Sequence, residues 1–293
     1  MYDLKALYPA ATVAEAVQLR LDHPEARIIA GGSDVLVQMR EGKLAGAELI
    51  SIQTLDELRG VKLEPDGTLR IGSLTSFSHI TRDPLIQRLF PVLGEAVDQV
   101  GGPQIRNIGT IGGNTCNGVT SADSASTLFA SDAVIELTGP AGVRRVPIAD
   151  FYLRAGKVDV RAGELQTGIL ISPESYDRTF GYYIKYAMRN AMDIATQGTS
   201  VNLRLSPDGK TVERARVAFG VAGPVPLRAV TAEQLAAGKP LTPALAEDFA
   251  QAVKADINPR DSWRAAKDFR LHIAVESAKR AFLESARRAG GEL

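Results

Sequence analysis

Two pairs of adjacent glycines carry the clearest chemical signal in this 293-residue chain. The first stands in Ala30-Gly31-Gly32-Ser33-Asp34, between an apolar run, Arg27-Ile28-Ile29-Ala30, and a helix-like one that begins at Val35. The second stands in Thr110-Ile111-Gly112-Gly113-Asn114. Glycine has no Cβ to hold an anion off the backbone, and it admits the positive φ that turns successive N–H groups toward one point. At a helix start those N–H groups lack intrahelical partners, so such a loop suits a phosphate. One Gly-Gly turn means little, because most of the 27 glycines are punctuation. Two such loops, each in an apolar setting and each followed by a small hydroxyl or amide residue, point to a joint clamp on a pyrophosphate.

Other nucleotide fingerprints are missing. No Gly-x-Gly-x-x-Gly occurs, and Gly209-Lys210-Thr211 has Arg204 where a P-loop needs its leading glycine. Ser206-Pro207-Asp208-Gly209 reads instead as a hairpin turn. Asp34 and Asp123 are either helix N-caps or ligands. Lys185 lies in Tyr182-Tyr183-Ile184-Lys185-Tyr186, where alternation puts it on one face with Tyr183. On the residues alone it reads as an exposed lysine. Cys116 has no histidine near it in sequence, so it reads as a small packing residue. A single cysteine cannot host an iron–sulfur cluster or a structural zinc, which places any such metal on a partner.

The elements that must hold these residues follow from capping and periodicity. Thr12-Val13-Ala14-Glu15 has capping-box spacing and opens a helix to about Asp22. The strand before the first glycine pair and a strand over 48–52 complete a small α/β unit. A hairpin over 61–72, helices near 76–81, 91–100 and 123–130, and a strand pair over 133–146 follow. The polar stretch 172–178 reads as a domain boundary. Beyond it come three antiparallel strands (182–187, 196–205 and 212–221) and helices over 231–237, 243–254 and 262–288. Ser262 is the expected N-cap of the last helix, Gly290 its stop, and Trp263 a core or interface residue.

Composition narrows the function classes. Lysine plus arginine and aspartate plus glutamate both number 34, so there is no bulk attraction to nucleic acid or an anionic membrane. No membrane span or signal peptide is expected, and the cytoplasm is the expected compartment.

At the two glycine motifs the chain resembles the FAD-binding medium subunits of the molybdenum hydroxylases, which include xanthine and carbon monoxide dehydrogenases. The resemblance runs from about Tyr2 to the last helix. Gly102-Pro103-Gln104-Ile105-Arg106-Asn107, the segment from Cys116 to Ser124, Tyr186 to Ile194, and Ser262 to Lys267 look most like bacterial xanthine dehydrogenase FAD subunits. The resemblance implies an α+β fold: a bipartite FAD-binding domain of the PCMH (vanillyl-alcohol oxidase-like) type over 1–175, in subdomains of about 1–57 and 58–175. A carbon monoxide dehydrogenase flavoprotein-like sheet-and-helix domain follows over 180–288.

For FAD it implies contacts from Arg27, Ile28, Ile29, Ala30, Gly31, Gly32, Ser33, Asp34, Val35, Thr110, Gly112, Gly113, Asn114, Cys116, Asp123, Leu165 and Lys185. Gln166 departs from the family's leucine or isoleucine, and Ala155 stands near a position where animal enzymes carry a stacking aromatic. Tyr152 could substitute for that aromatic or pack in the core. The implied partners are a small subunit with two 2Fe-2S clusters and a large molybdopterin subunit, in a dimer of heterotrimers, with NAD+ as electron acceptor. The alternatives are a carbon monoxide, aldehyde or N-heterocycle dehydrogenase subunit that uses a quinone, and a free-standing FAD reductase or nucleotide-binding module.

Overall fold

The computed structural model describes residues 2–292. A parallel sheet of three strands, in the order Leu4–Pro9, Ala47–Ser51, Arg27–Ile29, forms the first unit, with helix Val13–Asp22 between its first two strands in sequence. Thr12 caps that helix by accepting the Glu15 N–H at 3.1 Å, and Glu15 returns a bond from the Ala11 N–H at 2.7 Å. Strand Leu4–Pro9 is absent from the sequence reading. Most of its residues are exposed, and its partner lies about forty residues away, so no local pattern marks it.

The second unit is an antiparallel sheet of five strands, ordered Val61–Leu63, Leu69–Gly72, Leu165–Ile171, Val134–Gly139, Gly142–Pro147. Its middle strand, Leu165–Ile171, also escaped the sequence reading. All seven of its residues are buried, so the alternation that betrays a half-exposed strand is missing. Helices Phe77–Arg82, Pro91–Val97 and Asp123–Ala130 bury Phe77, Ile80, Leu93, Leu128 and Phe129 against Leu69, Ile71, Ile135 and Ile169 of this sheet.

The third unit is a four-stranded antiparallel sheet, Phe180–Tyr186, Gln197–Leu205, Val212–Gly220, Leu227–Arg228. The long helix Lys267–Arg288 packs on its first two strands, while helix Asp123–Ala130 of the preceding unit packs on its middle strands. Asn202 donates to the Ala130 carbonyl at 3.1 Å across that junction. The turn at Ser206 to Gly209 is the expected hairpin, with Gly209 at φ 72°.

Two expectations at the last helix are corrected. The helix starts at Lys267, and Ser262 does not cap it. The Asp261 carboxylate takes the Lys267 N–H at 2.7 Å, while Ser262 accepts from Arg270 at 2.7 Å. Trp263 is 78% exposed and stacks only with the Arg264 guanidinium, so it is no core residue. Gly290, at φ 83°, ends the helix as expected. Among the described residues no helix is long and apolar enough to cross a membrane, and no cluster of potential metal ligands forms.

Candidate functional site

The first glycine motif lies at the carboxyl end of strand Arg27–Ile29, where α/β sheets bind ligands. Gly32 adopts φ 72°, the left-handed conformation that favours glycine. Gly31 is required for a different reason: a Cβ there would fall 1.7 Å from the Ile108 carbonyl oxygen. Backbone meets backbone at this point, and the first motif is thereby joined to the residues just before Thr110. Among the described residues no backbone acceptor takes the N–H of Gly31, Gly32, Ser33 or Asp34.

The second motif is built differently from the expected loop. Gly112, Gly113 and Asn114 form the first turn of helix Ile111–Cys116, which Thr110 caps by accepting the Gly113 N–H at 3.1 Å. The N–H groups of Ile111, Gly112 and Asn114 go to Thr75, Ser73 and Thr110 carbonyls at 2.9–3.0 Å. Gly112 permits close packing on Ser73, whose Cβ would lie 2.6 Å from an added Cβ. Gly113 is exposed, with only Thr110 Oγ1, at 3.0 Å, near such an atom. The two motifs are therefore unequal. The first leaves backbone donors free, whereas the second contributes a surface cleared of side-chain bulk beside Thr110 and Asn114. Both following helices are only six residues long, so few peptide dipoles align behind either motif.

Asp123 opens helix Asp123–Ala130 but does not cap it; the cap position belongs to Ala122. Its carboxylate is 2.7 Å from Lys185 Nζ and accepts the Tyr183 hydroxyl at 2.8 Å. Lys185 also donates to the Gln99 carbonyl at 2.9 Å. The alternation read from the strand holds, since Tyr183 and Lys185 reach one carboxylate, and the lysine side chain is buried. Burial pushes the Asp123 carboxyl up, against the opposing pull of the Lys185 charge and of the hydrogen bonds from Lys185 and Tyr183. Burial, then the Asp123 charge, raises the Tyr183 hydroxyl well above its ordinary range. A cavity of about 220 Å³ adjoins this cluster, lined by Gly101, Asn114, Ala122, Asp123, Met192 and Asp193 among others. Asn114 is tied to the same helix, accepting the Ser124 hydroxyl at 2.6 Å.

Leu165 packs in one cluster with Ile28 and Ala30, which brings its strand to the first motif. Part of Cys116 is exposed, yet its thiol donates to the buried Gln166 Oε1 at 2.9 Å, and the enclosing protein pushes the thiol up to about 12. Tyr152 is 4% exposed and meets Phe129 and Phe151 edge-on, so it packs in the core. The Arg27 and Asp34 side chains are both exposed, and Asp34 bonds Gln38 instead of capping its helix. Tyr183, Gln99 and Ser124 were missing from the expected set. Tyr183 shares a strand face with Lys185 and could have been found, while Gln99 contributes a backbone carbonyl that no side-chain pattern reveals.

Known proteins share this fold. Residues 3–173 match the family model described as the FAD binding domain in molybdopterin dehydrogenase, and residues 182–285 match the CO dehydrogenase flavoprotein C-terminal domain. The chain is 42% identical over 293 residues to a xanthine dehydrogenase FAD-binding subunit of Escherichia coli, covering 100% of both. It is 30% identical over 257 residues to the carbon monoxide dehydrogenase medium chain of Hydrogenophaga pseudoflava, covering 88% of each. A solved carbon monoxide dehydrogenase structure from that organism superposes with a TM-score of 0.91 at 30% identity, over 99% of both chains. With the family models spanning most of its length and both glycine motifs juxtaposed, the chain belongs to the FAD-binding medium subunits of the molybdenum hydroxylase family.

Proposed function

We propose that this chain is the FAD subunit of a xanthine dehydrogenase, taking electrons from the 2Fe-2S clusters of a small partner subunit and delivering them to NAD+. A large molybdopterin subunit would oxidise the substrate, and the assembly would be cytoplasmic. The 42% identity to the Escherichia coli subunit over the whole chain supports xanthine over the other substrates of the family.

The observation that carries the FAD reading is the joint at Gly31. Four successive backbone N–H groups have no backbone acceptor, and Gly31 meets the Ile108 carbonyl too closely for a Cβ, which holds the first motif against the residues that lead into the second. That geometry fits a diphosphate, with Gly31 to Asp34 donating and Thr110, Gly113 and Asn114 forming the opposite wall. Leu165 and Cys116 would flank the ring, with the Asp123–Lys185 pair at the end of the same cleft. When bound, FAD accepts electrons singly and releases them in pairs. The chain's own work is to bind and orient it and to keep a cation beside it.

The test uses the assembled complex. Acid denaturation should release free flavin, since neither a histidine nor a reactive thiol stands ready to attach it. Xanthine added without air should bleach the iron–sulfur absorbance in wild type and in Asp123→Ala alike, whereas NADH formation should fall at least about tenfold in the variant. Loss of bleaching in an intact variant would put this chain upstream of the clusters. Reduction of a quinone in place of NAD+ would favour the carbon monoxide dehydrogenase-like reading.

A further inference from the structure

Three side chains around Cys116 carry buried polar atoms that find no partner. Gln166 is 3% exposed, and its Oε1 accepts from both the Thr115 hydroxyl and the Cys116 thiol at 2.9 Å. In this arrangement Nε2 is buried without a partner. The Tyr152 hydroxyl is buried without a partner, and so is Nε of Arg20, on helix Val13–Asp22.

Arg20 is the more telling of the three. Among the described residues it has no ion pair and no hydrogen bond, although burial lowers its pKa and its charge acts on the Cys116 thiol. Glu164, whose charge it also feels, is already gripped by Arg144 at 2.7 and 2.8 Å. An unpaired, partly buried cation is costly, and so is an unmade buried hydrogen bond. Here a cation, an amide N–H and a hydroxyl lie close to one thiol, each with a buried polar atom that has no partner. The neighbouring Leu19 packs in the cluster that holds Ile28, Ala30 and Leu165, so helix Val13–Asp22 runs beside the proposed cofactor wall.

We propose that Arg20 and Gln166 form a further cofactor-binding element, a cation and an amide donor that receive an anionic, acceptor-rich part of bound FAD. The inference rests on the FAD reading above and adds a wall to it from helix Val13–Asp22. Two parts of the cofactor have this chemistry: the diphosphate at all times, and the pyrimidine edge of the ring once it is reduced.

Titrating the full chain with FAD and with ADP, and measuring the two-electron potential of bound FAD, separates them. Arg20→Met and Gln166→Leu should each weaken the hold on the cofactor, Arg20→Met by about tenfold, and Arg20→Lys should recover part of the loss. Equal losses for ADP and FAD assign the diphosphate. Unchanged binding of oxidised FAD, with a potential lower by about 30 mV, is a tenfold weaker hold on the reduced form and assigns the ring. Wild-type affinity and potential in folded variants overturn the inference. Wild-type chain that takes up no FAD overturns the cofactor reading itself, which is a distinct result. If Arg20→Met does not fold, Arg20→Lys and Gln166→Leu carry the same measurements.

Discussion

The Asp123 carboxylate is buried with one cation and one hydroxyl for company, so its ionisation is coupled to stability. Burial holds its carboxyl above the ordinary 3.8, which means the folded state binds the proton more tightly than the unfolded chain. The stability this provides is fully present below about 3.8 and is lost as pH rises through the native value. Lys185 opposes the shift, and removing it moves that window upward. Lys185→Met should therefore cost roughly 3 kcal/mol at pH 7, with the gap from wild type narrowing as the pH falls toward 5. Urea unfolding at the two pH values measures this, and a pH-independent gap would deny the ion pair. Cys116 permits a second check at the same scale. A thiol pushed up to about 12 stays protonated at pH 8, so iodoacetamide should label it slowly in the folded protein and quickly in urea.

The glycines separate packing from binding at the scale of elements. Gly31→Ala drives a methyl group into the Ile108 carbonyl and should lower stability by about 1–3 kcal/mol while abolishing FAD uptake. Gly113→Val meets only Thr110 Oγ1 close by, so the variant should fold with little loss yet bind FAD poorly. Flavin content and thermal unfolding of the pair test the clamp, and normal flavin in a folded Gly113→Val would remove the second wall. Elements whose signal is local were legible in the sequence: the Thr12 cap, the hairpin at Gly209, the face shared by Tyr183 and Lys185. Those defined by distant partners were hidden. Leu4–Pro9 pairs with a strand made much later, and Leu165–Ile171 is apolar on both faces. The Gly-Gly-Asn motif read as a loop because glycine is a poor helix former, but the Thr110 cap and contacts to Ser73 and Thr75 override that propensity. The Gln166 contacts could not be read at all, since Thr115 and Cys116 belong to another element.

Across the whole molecule, the site exists only while its units stay docked. Asn202 reaches from the last sheet to the Ala130 carbonyl, and Arg228 and Arg216 reach Asp132 just beyond the same helix. Asn202→Ala would leave that carbonyl unpaired and should cost about 2 kcal/mol. Hydrogen exchange should quicken in helix Asp123–Ala130, which carries Asp123; unchanged protection there would show that the units do not depend on this bond. The order of assembly is constrained as well. Strand Leu165–Ile171 sits between Leu69–Gly72 and Val134–Gly139, both of which precede it in the chain. While the ribosome has made residues up to about 160, these two strands have no common neighbour and each presents an unpaired edge, the kind of surface that recruits other chains. The last strand of the sheet to be synthesised is its centre, so the chain passes through a length with two open strand edges just before the flavin cleft can close.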